Sequence, residues 1–420
     1  MVLNSVDTTG NILALRVSTL LPPLLSMQRS SWEQGSAAQA LLECHRFQPS
    51  VLPNVLNYIY GLVHDSIVRQ GPDGRLAVLL NGDGSSDSGA VDPACIGESL
   101  YYLLHMNAKY PGLLSEQDCV LLDDRVTWML TFIIDKCPRA QVPESSTSSK
   151  DALFSHKIDA LQIWSDTVYM LSPFLASSSV FHAHPNRSST RFGPQDLLEM
   201  SLRQIILAST ILQSSSGEWS HIFDLDKGVF QRKAYWGVGN GWACGGIARV
   251  LKTLAEAIEA DDSIADVLLN HANLGLIQDC YNILRKTLDA NLHHIRSDGL
   301  FHDVLDDKES FVETNLSQQL SYTLFRLLDL HSYSSSRVLE RLHLPLLKPM
   351  TVIEWEGKAS LMREAAMCKT DDWGFVRGVC GSPRFDKAGT AAEGQAWAIL
   401  MEVARAEYMA HKEVHHVTIA

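Results

Sequence analysis

Residues 159–176 read DALQIWSDTVYMLSPFLA: Asp159 opens the stretch, and a second carboxylate, Asp166, is set inside an apolar and aromatic run. Ile163, Asp166, Tyr169 and Met170 recur at steps of three and four, the spacing of one helical face. The pattern predicts a helix that points Asp166 where the apolar side chains point. An ionised aspartate among Trp164, Tyr169, Met170 and Phe174 is costly to desolvate, so either its pKa rises or a donor holds it. A raised pKa makes it a general acid near neutral pH. The other reading is a buried aspartate that caps a neighbouring helix or pairs with an arginine.

Outward from this stretch the chain repeats itself. Apolar helical segments rich in small residues begin near Trp32 (WEQGSAAQALLECH), Asp92 (DPACIGESLYYLLHM), Asp159, Asn240 (NGWACGGIARVLKTL), Glu313 (ETNLSQQLSYTLFRLL) and Gly389 (GTAAEGQAWAILMEVARAEY). Their starts lie roughly 60 to 80 residues apart, longer than common solenoid repeats. Between them run amphipathic segments with charged faces, for example 55–68, 116–136, 194–212 and 264–288. Helices rich in Ala, Gly and Ser pack closely on all sides, as an inner ring requires, and helices with one polar face suit an outer ring. The expectation is an all-α double ring of six inner and six outer helices, an (α/α)6 barrel formed by residues 1–420 as a single domain. Short β segments are expected at its mouth over 217–223, 299–304 and 350–356. Composition marks 138–150 (PRAQVPESSTSSK), 177–191 and 332–336 as flexible.

A chain of 420 residues with 46% hydrophobic residues can bury a large core. A net charge of −13 without a long basic run argues against a nucleic-acid surface. The eight cysteines are scattered, with no CxxC pair and no His/Cys cluster at zinc spacing, so they read as reduced thiols and no metal or other cofactor is expected. The amino terminus lacks the pattern of a secretory signal, and the apolar stretch 13–25 is too short, and broken by Pro22 and Pro23, to span a membrane. The expected protein is cytoplasmic and works on a small molecule, with no nucleic-acid or membrane partner; its oligomeric state is not legible.

Several motifs, taken together and in this order, resemble the six-hairpin glycosidases, specifically the unsaturated glucuronyl and rhamnogalacturonyl hydrolases of glycoside hydrolase families 88 and 105. They are WSDTVYMLSPFLA around Asp166, WGVGNGWA at 236–243, GLFHDVLDD at 299–307 followed by Glu313-Thr314, and the last inner segment GTAAEGQAWAILMEVA. The opening SMQRSSWEQGSAAQALLE and the stretch VRGVCGSPRFDKAGT resemble intracellular fungal members of that family. The resemblance covers nearly the whole chain and implies an (α/α)6 barrel with its pocket at one end of the inner ring. It also implies a metal-free hydrolase that hydrates a C4=C5 enol ether in an unsaturated uronic sugar. Such chemistry needs an acid over C4 and then a base for water.

By this resemblance Asp166 is the acid and base. Asp92, with Gly97 five residues later, is the second carboxylate, which holds the proton on Asp166 by like-charge proximity. The plain alternative is that Asp92 caps the helix it begins, with Pro93 at the first helical position. His156 and His221, the latter in GEWSHIFD, stand where family members carry pocket histidines; each can equally be a structural residue. Trp164, Trp236, Trp242, Trp32 and Tyr169 are candidate surfaces for the sugar, though core packing explains an aromatic side chain as well. Asn240 lies among glycines that let backbone approach a ligand closely. Glu313 reads as a complement to a helix dipole, and Glu33 and Glu393 stay open.

One departure stands out. Where many family members have arginine in Trp-Ala-Arg-Gly-Asn-Gly-Trp, this chain has Val238, which cannot replace a charged donor fork. Either Arg29, Lys157 or Arg232 supplies the cation, or the substrate is not a typical uronate, or the valine merely packs. The second functional reading follows from this: the same barrel used as a cyclase, dehydratase or pericyclase-type enzyme in fungal secondary metabolism.

Overall fold

Stretches rich in Ala, Ser and Gly can be buried on every side, and here they form six inner helices. These are α2 (Ser31–Phe47), α4 (Gly97–Lys109), α6 (Thr167–Ala183), α8 (Gly237–Ala260), α11 (Asn315–Tyr333) and α14 (Ala392–Ile419). Six helices alternate with them on the outside: α1 (Ser5–Met27), α3 (Val55–Val68), α5 (Glu116–Thr131), α7 (Pro194–Leu212), α10 (His271–Leu292) and α13 (Pro349–Met367). Two short helices, α9 (Ser263–Leu268) and α12 (Ser336–Arg341), complete the fourteen α-helices among the described residues. The computed structural model describes residues 5–81, 83, 85–141, 152–184, 191–333 and 336–419.

Contacts between inner helices run α2 to α4 and its leading 3-10 turn (Asp92–Ile96), then α6, α8, α11, α14 and back to α2. The ring is therefore closed, and the architecture is the (α/α)6 barrel. The first helix pairs with the last: α1 lays Leu13, Val17, Leu20 and Leu24, spaced at helical intervals, into the core and contacts α14. Backbones in the inner ring approach closely at Gly246, where a Cβ would lie 2.8 Å from Val168 O and 2.8 Å from Tyr169 Cα on α6.

One half of the ring interior is filled by paired charge. Arg249 on α8 binds Glu43 and, at 2.7 Å, Glu98. Arg326 on α11 binds Glu43 and Glu407. Burial alone would raise the Glu43 pKa, but Arg326, Arg249 and Lys252 hold it down to about 2. Above this network, toward the N-terminal ends of the inner helices, Tyr169, Trp242, Tyr322 and Trp397 close the ring axis edge to face, with Tyr169 and Trp242 centroids 4.6 Å apart.

Short antiparallel strands cluster where the inner helices begin. β1 (Arg139–Gln141) pairs with β2 (Ala152–Phe154). β3 (Gln162–Trp164), β4 (Ile222–Asp224) and β5 (Val229–Arg232) form a three-stranded sheet. β6 (Phe301–His302) pairs with β7 (Val312–Glu313), and β8 (Val379–Gly381) with β9 (Arg384–Gly389).

Several expectations need correction. Ile163 and Trp164 lie on β3, and α6 starts only at Thr167, so Asp166 sits at the helix entrance rather than within a helical stripe. Residues 350–356 belong to α13, not to a strand. Residues 177–183 complete α6, and 332–333 end α11. The expected flexible stretch 138–150 contains β1, while 142–150, like 185–190 and 334–335, lies outside the described residues. The segment 264–288 is split between α9 and α10.

Replacing Gly246 with Ala should force α6 and α8 apart and cost about 1–3 kcal/mol. Differential scanning calorimetry checks this; an unchanged midpoint would mean that the two backbones yield freely.

Candidate active site

The sheet β3-β4-β5 feeds directly into the start of α6. Ser165 N–H donates to His221 O at 3.0 Å, and the chain turns at Asp166 with φ −74° and ψ −16°. Asp166 O accepts from the N–H groups of Tyr169 and Met170, but its carboxylate does not cap the helix. This turn lies against α8, where a Cβ on Gly239 would fall 2.3 Å from Ser165 Oγ and 2.9 Å from the Trp236 ring. The second glycine of WGVGNGWA is thus what allows the acid-bearing turn to seat.

Asp166 Oδ1 is buried and has no hydrogen-bond partner among the described residues. Burial is the main cause that raises its pKa, to about 6; the charge of Asp92 adds to this, and His156 and Arg232 oppose it. The carboxyl therefore holds its proton under mildly acidic conditions and shares it near neutrality, the range a general acid and base needs.

Around Asp166 stand two imidazoles in different states. His156 Nε2 lies 3.3 Å from Asp92 Oδ1, and its Nδ1 lies 3.0 Å from Thr167 Oγ1. Burial pulls the His156 pKa down, but the charge and hydrogen bond of Asp92, with the charge of Asp166, outweigh it and leave it raised. His221 is pushed well down by burial and then by Arg232 and His156. Arg232 Nη1 lies 3.1 Å from His221 Nδ1. A guanidinium can only donate, so Nδ1 is the acceptor and the proton of neutral His221 sits on Nε2. That nitrogen faces Asp166 Oδ1 at 3.9 Å.

Aromatic rings wall this cluster. Trp164 stacks on His156 at 4.4 Å and 9°, and meets His221 edge-on at 5.4 Å. Trp236 packs on His221 at 4.4 Å and donates from Nε1 to Asp303 Oδ1 at 3.1 Å. Arg232 lies over Trp236 with its Nη2 4.0 Å from Asp303 Oδ2, and a third of its side chain stays exposed. Across the ring, α14 and α2 bring a second acidic pair together. Trp32 Nε1 donates to Glu393 Oε1 at 2.7 Å, while Arg29 binds Glu33 and Ser382. Burial, reinforced by Glu33, raises the Glu393 pKa to about 7.

The structure brings together Asp92, His156, Trp164, Asp166, His221 and Trp236, and sets Trp32 on the opposite wall. It places three candidates elsewhere. Asn240 is consumed by structure: its Oδ1 accepts from Trp219 N–H at 2.7 Å and its Nδ2 donates to Trp219 O and Trp236 O, pinning the GEWSH segment to α8. Trp242 and Tyr169 belong to the aromatic plug below the mouth, and Tyr169 spends its hydroxyl on Gln39 at 2.8 Å. Glu313 is fully buried and accepts from the N–H groups of Asn315, Leu316 and Cys380, so it ties the start of α11 to β8. Val238 is a core residue. Of the three candidate cations, Arg232 is the one beside the acid. Asp303 and Thr167 were not singled out from sequence, since their roles depend on partners 67 and 11 residues away. Among the described residues no three His, Cys, Asp or Glu side chains gather as metal ligands. No helix among them is long and apolar enough to cross a membrane.

Fold and site define a closed helical double ring with a desolvated acid at the mouth where the inner helices begin. Residues 133–334 match the model of Glycosyl Hydrolase Family 88, a segment that holds Asp166, both histidines, Arg232 and Asp303. Over 199 residues the chain is 24% identical to the unsaturated rhamnogalacturonyl hydrolase YesR of Bacillus subtilis, covering 47% of this chain and about half, 49%, of that relative. Among solved structures, a possible member of the GH105 family from Salmonella enterica superposes with a TM-score of 0.65 at 15% identity, covering 94% of this chain and 93% of the other. The unsaturated glucuronyl hydrolase of Bacillus sp. GL1, described as responsible for the degradation of glycosaminoglycan, superposes at 0.58 and 12% identity, covering 94% and 95%. The resemblance to the six-hairpin glycosidases of families 88 and 105 is thereby shown. These relatives are bacterial, and they do not carry the likeness to fungal members.

His156→Gln removes the strongest influence that lowers the Asp166 pKa. The group's pKa should then rise above about 6, keeping the proton to higher pH, and the falling limb of the pH profile of kcat/KM should move upward. A limb that stays or moves down would contradict this electrostatic assignment.

Proposed function

We propose that this protein hydrolyses unsaturated uronyl oligosaccharides, of the rhamnogalacturonyl or glucuronyl class, by hydrating the C4=C5 enol ether. The observation that carries the reading is a buried carboxyl whose Oδ1 has no partner of its own, at the mouth of a Family 88-type barrel. Asp166 gives its proton to C4, and positive charge develops at C5 and the ring oxygen. Water then adds to C5 and returns one proton to Asp166. The resulting hemiketal opens, and the neighbouring sugar leaves as its free alcohol. One group is acid and then base, so a pKa near 6 serves both steps.

Asp92 and His156 form the ion pair that tunes this proton, and neutral His221 presents its Nε2–H beside it. Arg232 takes the place left by Val238: its guanidinium, on a side chain one third exposed, lies next to His221 and Trp236 and can meet the sugar carboxylate with two N–H donors. The starts of the six inner helices gather at this end, and their dipoles favour an anion there. Trp164, Trp236 and Trp32 supply apolar surface for the sugar rings. With eight free cysteines the setting is a reducing one, and we place the activity in the cytoplasm. The biosynthetic alternative finds no support among the named relatives.

Loss of the enol ether ultraviolet absorbance, with an unsaturated rhamnogalacturonan or glycosaminoglycan disaccharide, tests the reading. Asp166→Asn should slow kcat by about 10²–10⁴. Arg232→Gln should raise KM by about tenfold or more, the loss of a charge-assisted pair of roughly 1.5–3 kcal/mol. Full activity of Asp166→Asn would remove the acid, and no turnover of either disaccharide by the native enzyme would remove the substrate class.

A further inference from the structure

Outer helices of this barrel show water a polar face, as α10 does with Gln278, Asp279, Asn282, Lys286 and Asp289. Helix α13 shows one that is largely apolar. Its buried face carries Trp355, Ala359, Met362 and Ala366, and its opposite face carries Met350, Ile353 and Leu361, which are 73%, 64% and 42% exposed, with Glu354 and Glu364 exposed beside them. Leu346, just ahead of the helix, is also exposed. Large apolar side chains grouped on the outer side of a helix mark a surface that is covered.

We propose that this outer face of α13 is the interface between two copies of the chain, related by a two-fold axis through Gly357. At 3.6 residues per turn, Met350, Ile353 and Leu361 all fall within about 40° of Gly357 around the helix. A Cβ at Gly357 would meet no atom within 4 Å, so the centre of the stripe is open and flat. Two helix axes can therefore approach to about 8 Å there.

The stripe is self-complementary in one arrangement only. About a perpendicular two-fold axis, residue 357 + n faces residue 357 − n of the partner copy. Ile353 then meets Leu361, Glu354 meets Ser360, and Met350 meets Glu364. A parallel pairing would instead set Glu354 against Glu354 and Glu364 against Glu364, which is repulsive. Leu346, Met350, Ile353 and Leu361 together expose on the order of 400–500 Å² per copy. That suits the apolar part of a standard interface, which covers about 800 Å² per partner, with Glu354, Lys358, Ser360 and Glu364 as its polar groups.

Sedimentation velocity on the full chain from about 1 to 100 µM tests this, because an isologous dimer forms by mass action. The native protein should reach twice the 46.6 kDa chain mass at the upper end. Ile353→Lys and Leu361→Lys, both at exposed positions on the outer face of α13, should each weaken association about 100-fold with unchanged thermal midpoints. In a Cys368→Ser background, Gly357→Cys should crosslink to itself on mild oxidation, since the axis brings the two copies of that position together. A native chain that stays monomeric at 100 µM overturns the proposal, as does a dimer that survives both lysine variants and gives no crosslink.

Discussion

Desolvation of the Asp166 carboxyl, with no donor on Oδ1, is the constraint around which the mouth of this barrel is arranged. Leaving a polar group buried and unmatched costs on the order of 1–3 kcal/mol, and more if it is ionised. The fold sustains that cost because the turn carrying Asp166 is fixed from all sides: by the Ser165–His221 backbone bond, by Thr167 on His156 and by Gly239 beneath it. A freer turn would rotate the carboxylate toward water or a donor, and its pKa would fall toward the ordinary range.

The other half of the ring handles buried charge in the opposite way. There each carboxylate meets a guanidinium, Glu43 with Arg249 and Arg326, and Glu407 with Arg326, and the acids are held ionised. At the mouth Asp166 is left to burial, and Glu393 is raised by burial with Glu33 beside it. One barrel thus contains acids matched for stability at one level and acids left short of partners at another. The plug of Tyr169, Trp242, Tyr322 and Trp397 separates them, which keeps the paired arginines from neutralising the acid.

The ring itself was legible in the sequence because small residues recur in every inner helix and polar faces recur between them. Asp166 is legible as a carboxylate in an apolar run, but its local structure is not: Ile163 and Trp164 alternate on a strand, and over so few residues a strand and a helix face share apolar positions. Residues 350–356 resemble a strand for a related reason, since apolar residues on both faces of α13 blur the helical period. Trp242, Tyr169 and Asn240 carried the right chemistry for a pocket, but depth along the inner helix decides their role and no local pattern encodes it. Asp303 and the Arg232–His221 contact depend on strands that meet only in the folded chain.

In the proposed reaction the Asp166 proton goes to C4 of an enol ether. Turnover of an unsaturated uronyl disaccharide in D₂O, with the product analysed by NMR, tests it most directly. One deuteron should be delivered to C4, on a single face, and none elsewhere on the carbon skeleton. Product without deuterium at C4, or with both faces labelled equally, would contradict it.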